Sequence, residues 1–138
     1  LNATHQFNER HLLTASGCYS YQRAQNRTNP SSPYYRNQIA YTPEHQGSFA
    51  LAWENPWVCC ATHLTTVSER WTTNAHLQGT RVDGYYELGA SAYHRFHIGY
   101  GVMEARLDLK NLTDKQYEIV GAYPMPGRSF QFSLSYKL

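Results

Sequence analysis

Residues Ala105–Leu138 read ARLDLKNLTDKQYEIVGAYPMPGRSFQFSLSYKL. They form a strand pattern, a polar excursion containing proline and glycine, and a closing strand pattern that runs to the last residue. In the closing stretch Phe130, Phe132, Leu134, Tyr136 and Leu138 alternate with Ser129, Gln131, Ser133, Ser135 and Lys137. A period of two places all five apolar side chains on one face. In the stretch before it, Met103, Ala105, Leu107 and Leu109 face one way, while Glu104, Arg106, Asp108 and Lys110 face the other. A soluble antiparallel sheet resting on a core gives this pattern. So does a membrane barrel wall, apolar toward lipid and charged toward a wet lumen. Periodicity alone does not choose between them.

The same alternation runs through most of the chain. Leu1, Ala3, His5 and Phe7 alternate with Asn2, Thr4, Gln6 and Asn8. Leu13, Ala15, Gly17, Tyr19 and Tyr21 form the apolar set of a second strand, and Gly47, Phe49, Leu51 and Trp53 that of a third, His45 to Glu54. A fourth is expected from about Trp57 to Arg70, where Val58-Cys59-Cys60-Ala61 fits either face. Tyr86, Leu88, Ala90 and Ala92 mark the fifth, and the two strands of the opening stretch complete seven. Short connections at Asn8–His11, Glu54–Pro56 and near His97–Gly101 alternate with long polar ones at Gln25–Pro43, Trp71–Asp83 and Thr113–Arg128. Outer-membrane barrels have this asymmetry, with short periplasmic turns and longer external loops.

Composition limits the alternatives. The 138 residues carry a net charge of +2 and no Lys/Arg run, so nothing points to nucleic acid. No stretch approaches the length of apolar residues that a spanning helix needs, yet a β-barrel remains open because half its strand positions are polar. The 12 Tyr and 3 Trp suit aromatic belts at membrane interfaces, and equally a Tyr-rich soluble β-domain. Cys18, Cys59 and Cys60 form neither a disulfide framework nor a metal spacing and read as small wall residues. Leu1 stands in mid-pattern, without Met or a signal peptide, so a fragment of a longer protein is expected.

The tail resembles the C-terminal end of TonB-dependent outer-membrane receptors. The matching residues are Asn111-Leu112-Thr113-Asp114-Lys115 with Tyr117, then Tyr123-Pro124-Met125-Pro126-Gly127-Arg128, then the closing amphipathic strand. They correspond to the family's N-L-x-D-K-x-Y and Y-P-x-P-G-R, in order and at fitting spacing. The family's usual terminal aromatic is replaced by Leu138.

The resemblance implies an all-β fold: an antiparallel up-and-down meander of about seven strands, residues 1–138, forming the C-terminal part of a large transmembrane barrel. Such barrels have about 22 strands around a plugged lumen. The rest of the barrel, the plug and the segment that engages TonB would therefore lie elsewhere. It also implies outer-membrane lipid around the wall, external long loops and a periplasmic C-terminus. Phe130, Phe132, Leu134, Tyr136 and Leu138 would form a signal read by the barrel-assembly machinery. The implied function is TonB-energised uptake of a scarce ligand such as an iron chelate or vitamin B12. An isolated fragment with two open sheet edges would be prone to self-association. The alternatives are a small stand-alone barrel or adhesin and a soluble β-sandwich or lipocalin-like binder.

No catalytic constellation stands out. Ser, His and Asp occur without a nucleophile elbow, and the seven His are scattered over turns, strands and loops. No metal site and no cofactor are expected. The row Glu104, Arg106, Asp108, Lys110 reads as a lumen-facing ladder pairing across strands. Gly127 is expected to supply permissive backbone angles, and Arg128 a cation for carbonyls or carboxylates nearby. Ligand contacts are expected from aromatics of the long loops, foremost Tyr34, Tyr35, Trp71, Tyr117 and Tyr123, each of which also reads as a girdle or packing residue. The ligand itself is not readable.

Overall fold

Alternation of side chains over long stretches, interrupted by turn residues, produces one antiparallel sheet. The computed structural model describes all residues, 1–138. Its elements are β1 (Asn2–Asn8), β2 (His11–Tyr21), β3 (His45–Glu54), β4 (Cys59–Val67), β5 (Arg70–Trp71), β6 (Arg81–Val82), β7 (Tyr85–Ile98), β8 (Gly101–Lys110), β9 (Glu118–Val120), β10 (Tyr123–Pro124) and β11 (Ser129–Lys137). The seven-stranded sheet has the order β1-β2-β3-β4-β7-β8-β11, each strand beside its neighbour in sequence. The pairs β5/β6 and β9/β10 are small hairpins inside two of the long connections.

The seven strands are those expected, with two differences. The fourth is shorter than Trp57–Arg70: it spans Cys59–Val67, and Arg70-Trp71 turns away to pair with Arg81-Val82. The long connections at 68–84 and 111–128 are not structureless, because each folds into its own hairpin.

Three tight turns close one end of the sheet. Asn8 Oδ1 accepts the amide of Arg10 at 2.9 Å. Asn55 Oδ1 accepts the amides of Trp57 and Val58 at 3.0 Å, while its Nδ2 donates to the Val58 carbonyl at 2.6 Å. Asparagine side chains here replace backbone hydrogen bonds that the reversing chain cannot make. The third turn places Gly99 at φ 59°, a conformation that costs most residues a clash at Cβ. All three long loops, 22–44, 68–84 and 111–128, leave from the opposite end.

Register fixes the two faces. One row across the sheet reads Phe132, Leu107, Ala92, Cys60, Trp53, Leu13, His5; the next reads Gln131, Asp108, Ser91, Ala61, Ala52, Thr14, Thr4. This settles the ambiguous VCCA stretch: Cys60 lies in the apolar row, and Cys59, opposite Tyr93, on the polar face.

There is no second layer. Only seven of 138 residues are buried, and Val82 and Pro43 are the only apolar ones among them larger than glycine. Phe130, Phe132 and Leu134 expose 77%, 65% and 58% of their surface. A soluble sandwich or lipocalin buries such a face to offset the entropy of folding, and this sheet leaves it uncovered. Of the seven strands, β2, β3, β4, β8 and β11 have 11, 10, 9, 10 and 9 residues, within the about 9–11 that a tilted strand needs to cross a bilayer; β7 is longer at 14 and β1 shorter at 7.

Candidate functional site

The apolar face is banded. Toward the short turns, His11 lies 6.0 Å from the Trp53 ring and 5.6 Å from Trp57, and His94 stacks on Phe96 at 5.7 Å. Toward the long loops, Tyr19 and Tyr21 flank His45, with the Tyr19 hydroxyl 2.7 Å from His45 Nδ1. Between these rims lie Leu51, Cys60, Thr62, Ala90, Ala92, Leu107 and Leu109, which line one shallow apolar depression. Amphipathic rings at two levels with aliphatic residues between them match the layering of a bilayer.

The polar face carries the charged row. Arg95 on β7 donates to Glu104 on β8 at 2.7 Å, a pairing across strands as expected. Arg106 instead donates to Asp108 two residues along the same strand, at 2.9–3.0 Å. In solvent, such pairs shape the local field more than they stabilise the fold.

Above this face the three long loops form one layer. The first meets the second through Asn37 Nδ2, which donates to the Asn74 carbonyl at 2.9 Å, and through Asn74 Oδ1, which accepts the Ala40 amide at 2.7 Å. His76 Nε2 lies 2.8 Å from the Gln38 carbonyl, and the His76 ring stacks on Trp71 at 4.6 Å. The second loop meets the third through Arg70, which is 5% exposed. Its Nη2 donates to the carbonyls of Glu118 and Ile119 at 2.8 and 2.6 Å, and its guanidinium lies 5.8 Å from the Tyr85 ring. Tyr85 stacks on Tyr117 at 4.1 Å, and the Tyr117 hydroxyl donates to the Glu87 carboxylate. Burial, and then the facing Glu87 carboxylate, push the Tyr117 phenol above its ordinary range.

The tail motif builds the base of the third loop. Asn111, 2% exposed and at φ 48°, donates from Nδ2 to the carbonyls of Lys115 at 2.9 Å and Pro126 at 3.3 Å, and its Oδ1 accepts the Lys115 amide at 2.9 Å. One side chain thus ties both stems of the loop. Asp114 Oδ1 accepts the Arg128 amide at 2.8 Å, and the Leu112 amide donates to the Leu88 carbonyl at 2.8 Å. Two expectations change here. Gly127 has no positive φ; it is needed because a Cβ would lie 2.7 Å from Asp114 Oδ1. Arg128 contributes its backbone amide, and its guanidinium forms no ion pair.

The five loop aromatics singled out in the sequence do not converge. Trp71 is stacked on His76, Tyr117 is held between Tyr85 and Glu87, and Tyr35 lies under the Arg36 guanidinium at 5.7 Å. Tyr34 and Tyr123 stand open, 41% and 71% exposed. Gln38, Arg70, Asn74 and Glu87, which organise the layer, were not singled out. The partners through which they tie the layer together lie 30 to 49 residues away, so no local signal marks them.

A protein-family model described as TonB dependent receptor-like, beta-barrel matches residues 1–112. No curated protein matches the sequence.

Proposed function

This chain belongs to the TonB-dependent receptor β-barrel family, and from that premise we propose that it forms the C-terminal wall of an outer-membrane receptor for a scarce ligand. The family is one of TonB-linked outer-membrane transporters and not of enzymes. The finer reading is uptake of an iron chelate or a cobamide, energised through TonB. Its apolar face meets lipid and its polar face meets a plugged lumen completed by the remaining strands. The long loops face outward, the short turns and the C-terminus face the periplasm, and Phe130–Leu138 serve the barrel-assembly machinery. One observation carries this reading: a single sheet with one apolar face and one polar face that buries almost nothing of its own. Only a solvent with two phases satisfies both faces.

Orientation and transport are tested together in the full receptor, with its native cysteines replaced by serine. Leu77, at the second loop and 58% exposed, and Tyr100, at a short turn and fully exposed, are each changed to cysteine. A membrane-impermeant maleimide should label Leu77→Cys in intact cells and Tyr100→Cys only after lysis. Cells given a ferric chelate or a cobamide as sole source should grow through this receptor only when TonB is present. Reversed labelling, or TonB-independent growth on both, overturns the reading.

A further inference from the structure

Register puts every Asp, Glu, Lys and Arg of the seven sheet strands on the polar face. The apolar face carries four histidines instead: His5, His11, His45 and His94. They are the only side chains on that face able to become cations. Three of them stand toward the short turns. His11 lies one position beyond the Leu12–Glu54 pair, His94 one beyond the Tyr93–Cys59 pair, and His5 two positions before Phe7 at the end of β1. Each rests on aromatic rings: His5 edge-on to Phe7 at 4.6 Å, His11 beside Trp57 and Trp53 at 5.6 and 6.0 Å, and His94 on Phe96 at 5.7 Å. His45, at the other rim, has the Tyr19 hydroxyl on its Nδ1, whereas the rings of His5, His11 and His94 make no hydrogen bond within the chain. His5 and His94 are exposed and His11 is half-buried.

Amphipathic rings on a barrel wall lie at the level of the lipid headgroups, where an apolar body and a polar edge are both satisfied. A cation at that level is drawn to lipid phosphate, and Lys or Arg would supply one at every pH. This face has neither. Histidine gains its charge only between about pH 8 and pH 5, and then donates from both ring nitrogens. The charged groups nearby are few. Glu9, Arg10 and Glu54 share a shallow depression with His11 and Cys59. Around His94, Arg95 and Glu104 pair with each other at 2.7 Å on the polar face, beside Tyr93 and Arg106. His5 has Leu13 opposite it and no Asp, Glu, Lys or Arg on its own strand.

We infer that His5, His11 and His94 form an acid-strengthened docking surface for the phosphodiester headgroups of anionic phospholipid, in the leaflet at the short-turn end of the wall. A phosphodiester keeps its negative charge throughout this pH range, so protonation of the protein alone sets the attraction. Charge complementarity selects the lipid: an anionic headgroup meets a histidine cation with nothing to offset it, whereas a zwitterionic headgroup brings a cation of its own. The surface continues the apolar face at its rim, and the inference rests on the reading that this face meets lipid. It is independent of what the receptor transports and of which way the wall is oriented.

The test uses the full receptor in vesicles of phosphatidylcholine with a minor share of phosphatidylglycerol, at about pH 8 and about pH 5. One lipid or the other carries brominated acyl chains, which quench tryptophan. Trp53 and Trp57 stand beside His11, so the readout is the fluorescence of the native receptor minus that of Trp53→Phe/Trp57→Phe. On acidification the preference for phosphatidylglycerol should rise about fivefold for each histidine that becomes charged, the gain for one cation at an anionic surface. His5→Gln/His11→Gln/His94→Gln should lose this rise, with unchanged heat-dependent gel mobility showing that the barrel still folds. His11→Arg/His94→Arg should already show a high preference at the alkaline pH. His97→Gln, at the same end but on the polar face, should behave as the native protein. Equal preference at both pH values overturns the proposal, and so does a rise that survives the triple variant, which would assign it to Glu9 or Glu54. If neither lipid quenches, the apolar face does not meet lipid, and the proposed wall falls together with this inference.

Discussion

Gly127 packs against Asp114 so closely that a Cβ at position 127 would stand 2.7 Å from Asp114 Oδ1, the oxygen that accepts the Arg128 amide at 2.8 Å. Gly127→Ala must therefore displace the carboxylate and break that hydrogen bond. Overpacking of this sort costs about 1–3 kcal/mol. Asp114→Ala alone removes the bond but also the obstruction. The double variant should lose less than the sum of the two, a coupling that a double-mutant cycle of denaturant unfolding in lipid vesicles would read. Strict additivity would show that the glycine is required for another reason.

Asn111 combines two demands, a left-handed backbone and three side-chain hydrogen bonds, and they can be separated. Asn111→Gly keeps the backbone and loses the bonds, costing about 1.5–4.5 kcal/mol at a net 0.5–1.5 each. Asn111→Ala loses both and should cost about 1–2 kcal/mol more, because a Cβ at φ 48° crowds the following carbonyl. Proteolysis within 112–127 should accelerate in the same order. Equal unfolding midpoints for the two variants would mean that the backbone conformation carries no strain.

How much of this was legible in the sequence depends on the reach of the interactions. The alternation of Phe130–Leu138 against Ser129–Lys137 needs only neighbouring residues, and register then carried both faces across the sheet. The tail motif marked Asn111, Asp114 and Gly127 as important, yet the geometry of Gly127 was misread because the obstruction comes from a side chain 13 positions away. Arg70 was invisible: its carbonyl partners are 48 and 49 residues distant, and a lone arginine in a polar loop has no periodic signature. The motif and the family match rest on nearly separate residues, since the match ends at residue 112. The two lines of argument therefore support each other without sharing their grounds.

Tyr117 should hold its phenolic proton above the ordinary tyrosine range. Burial is the larger cause of its raised pKa and the Glu87 carboxylate the second. The folded state thus holds the phenolic proton more firmly than the unfolded chain. The stability this contributes is complete below about pH 10, the unfolded value, and is lost progressively as pH rises toward the folded one. Absorbance at alkaline pH should show a late tyrosine step that disappears in Tyr117→Phe. Glu87→Gln should move the step down without bringing it to the ordinary value, because burial remains. A step unaffected by Tyr117→Phe would assign it to another residue.

The two faces differ most sharply where adjacent rows meet, at Leu107 and Gln131. Leu107 lies opposite Phe132 and Ala92 in the apolar row, and Gln131 lies opposite Asp108 in the polar row. If the apolar face meets hydrocarbon, Leu107→Arg places a charge within the bilayer, at a cost of about 2–4 kcal/mol at the midplane. Gln131→Arg adds the same side chain to the wet face beside a carboxylate and should be close to neutral. In water the ranking would collapse, because Leu107 is already 38% exposed and a surface arginine there would cost little. Folding yield into vesicles, read as heat-dependent gel mobility, should therefore fall for Leu107→Arg and hold for Gln131→Arg. Equal yields would remove lipid from the apolar face, and with it the reason a sheet with no core of its own can persist.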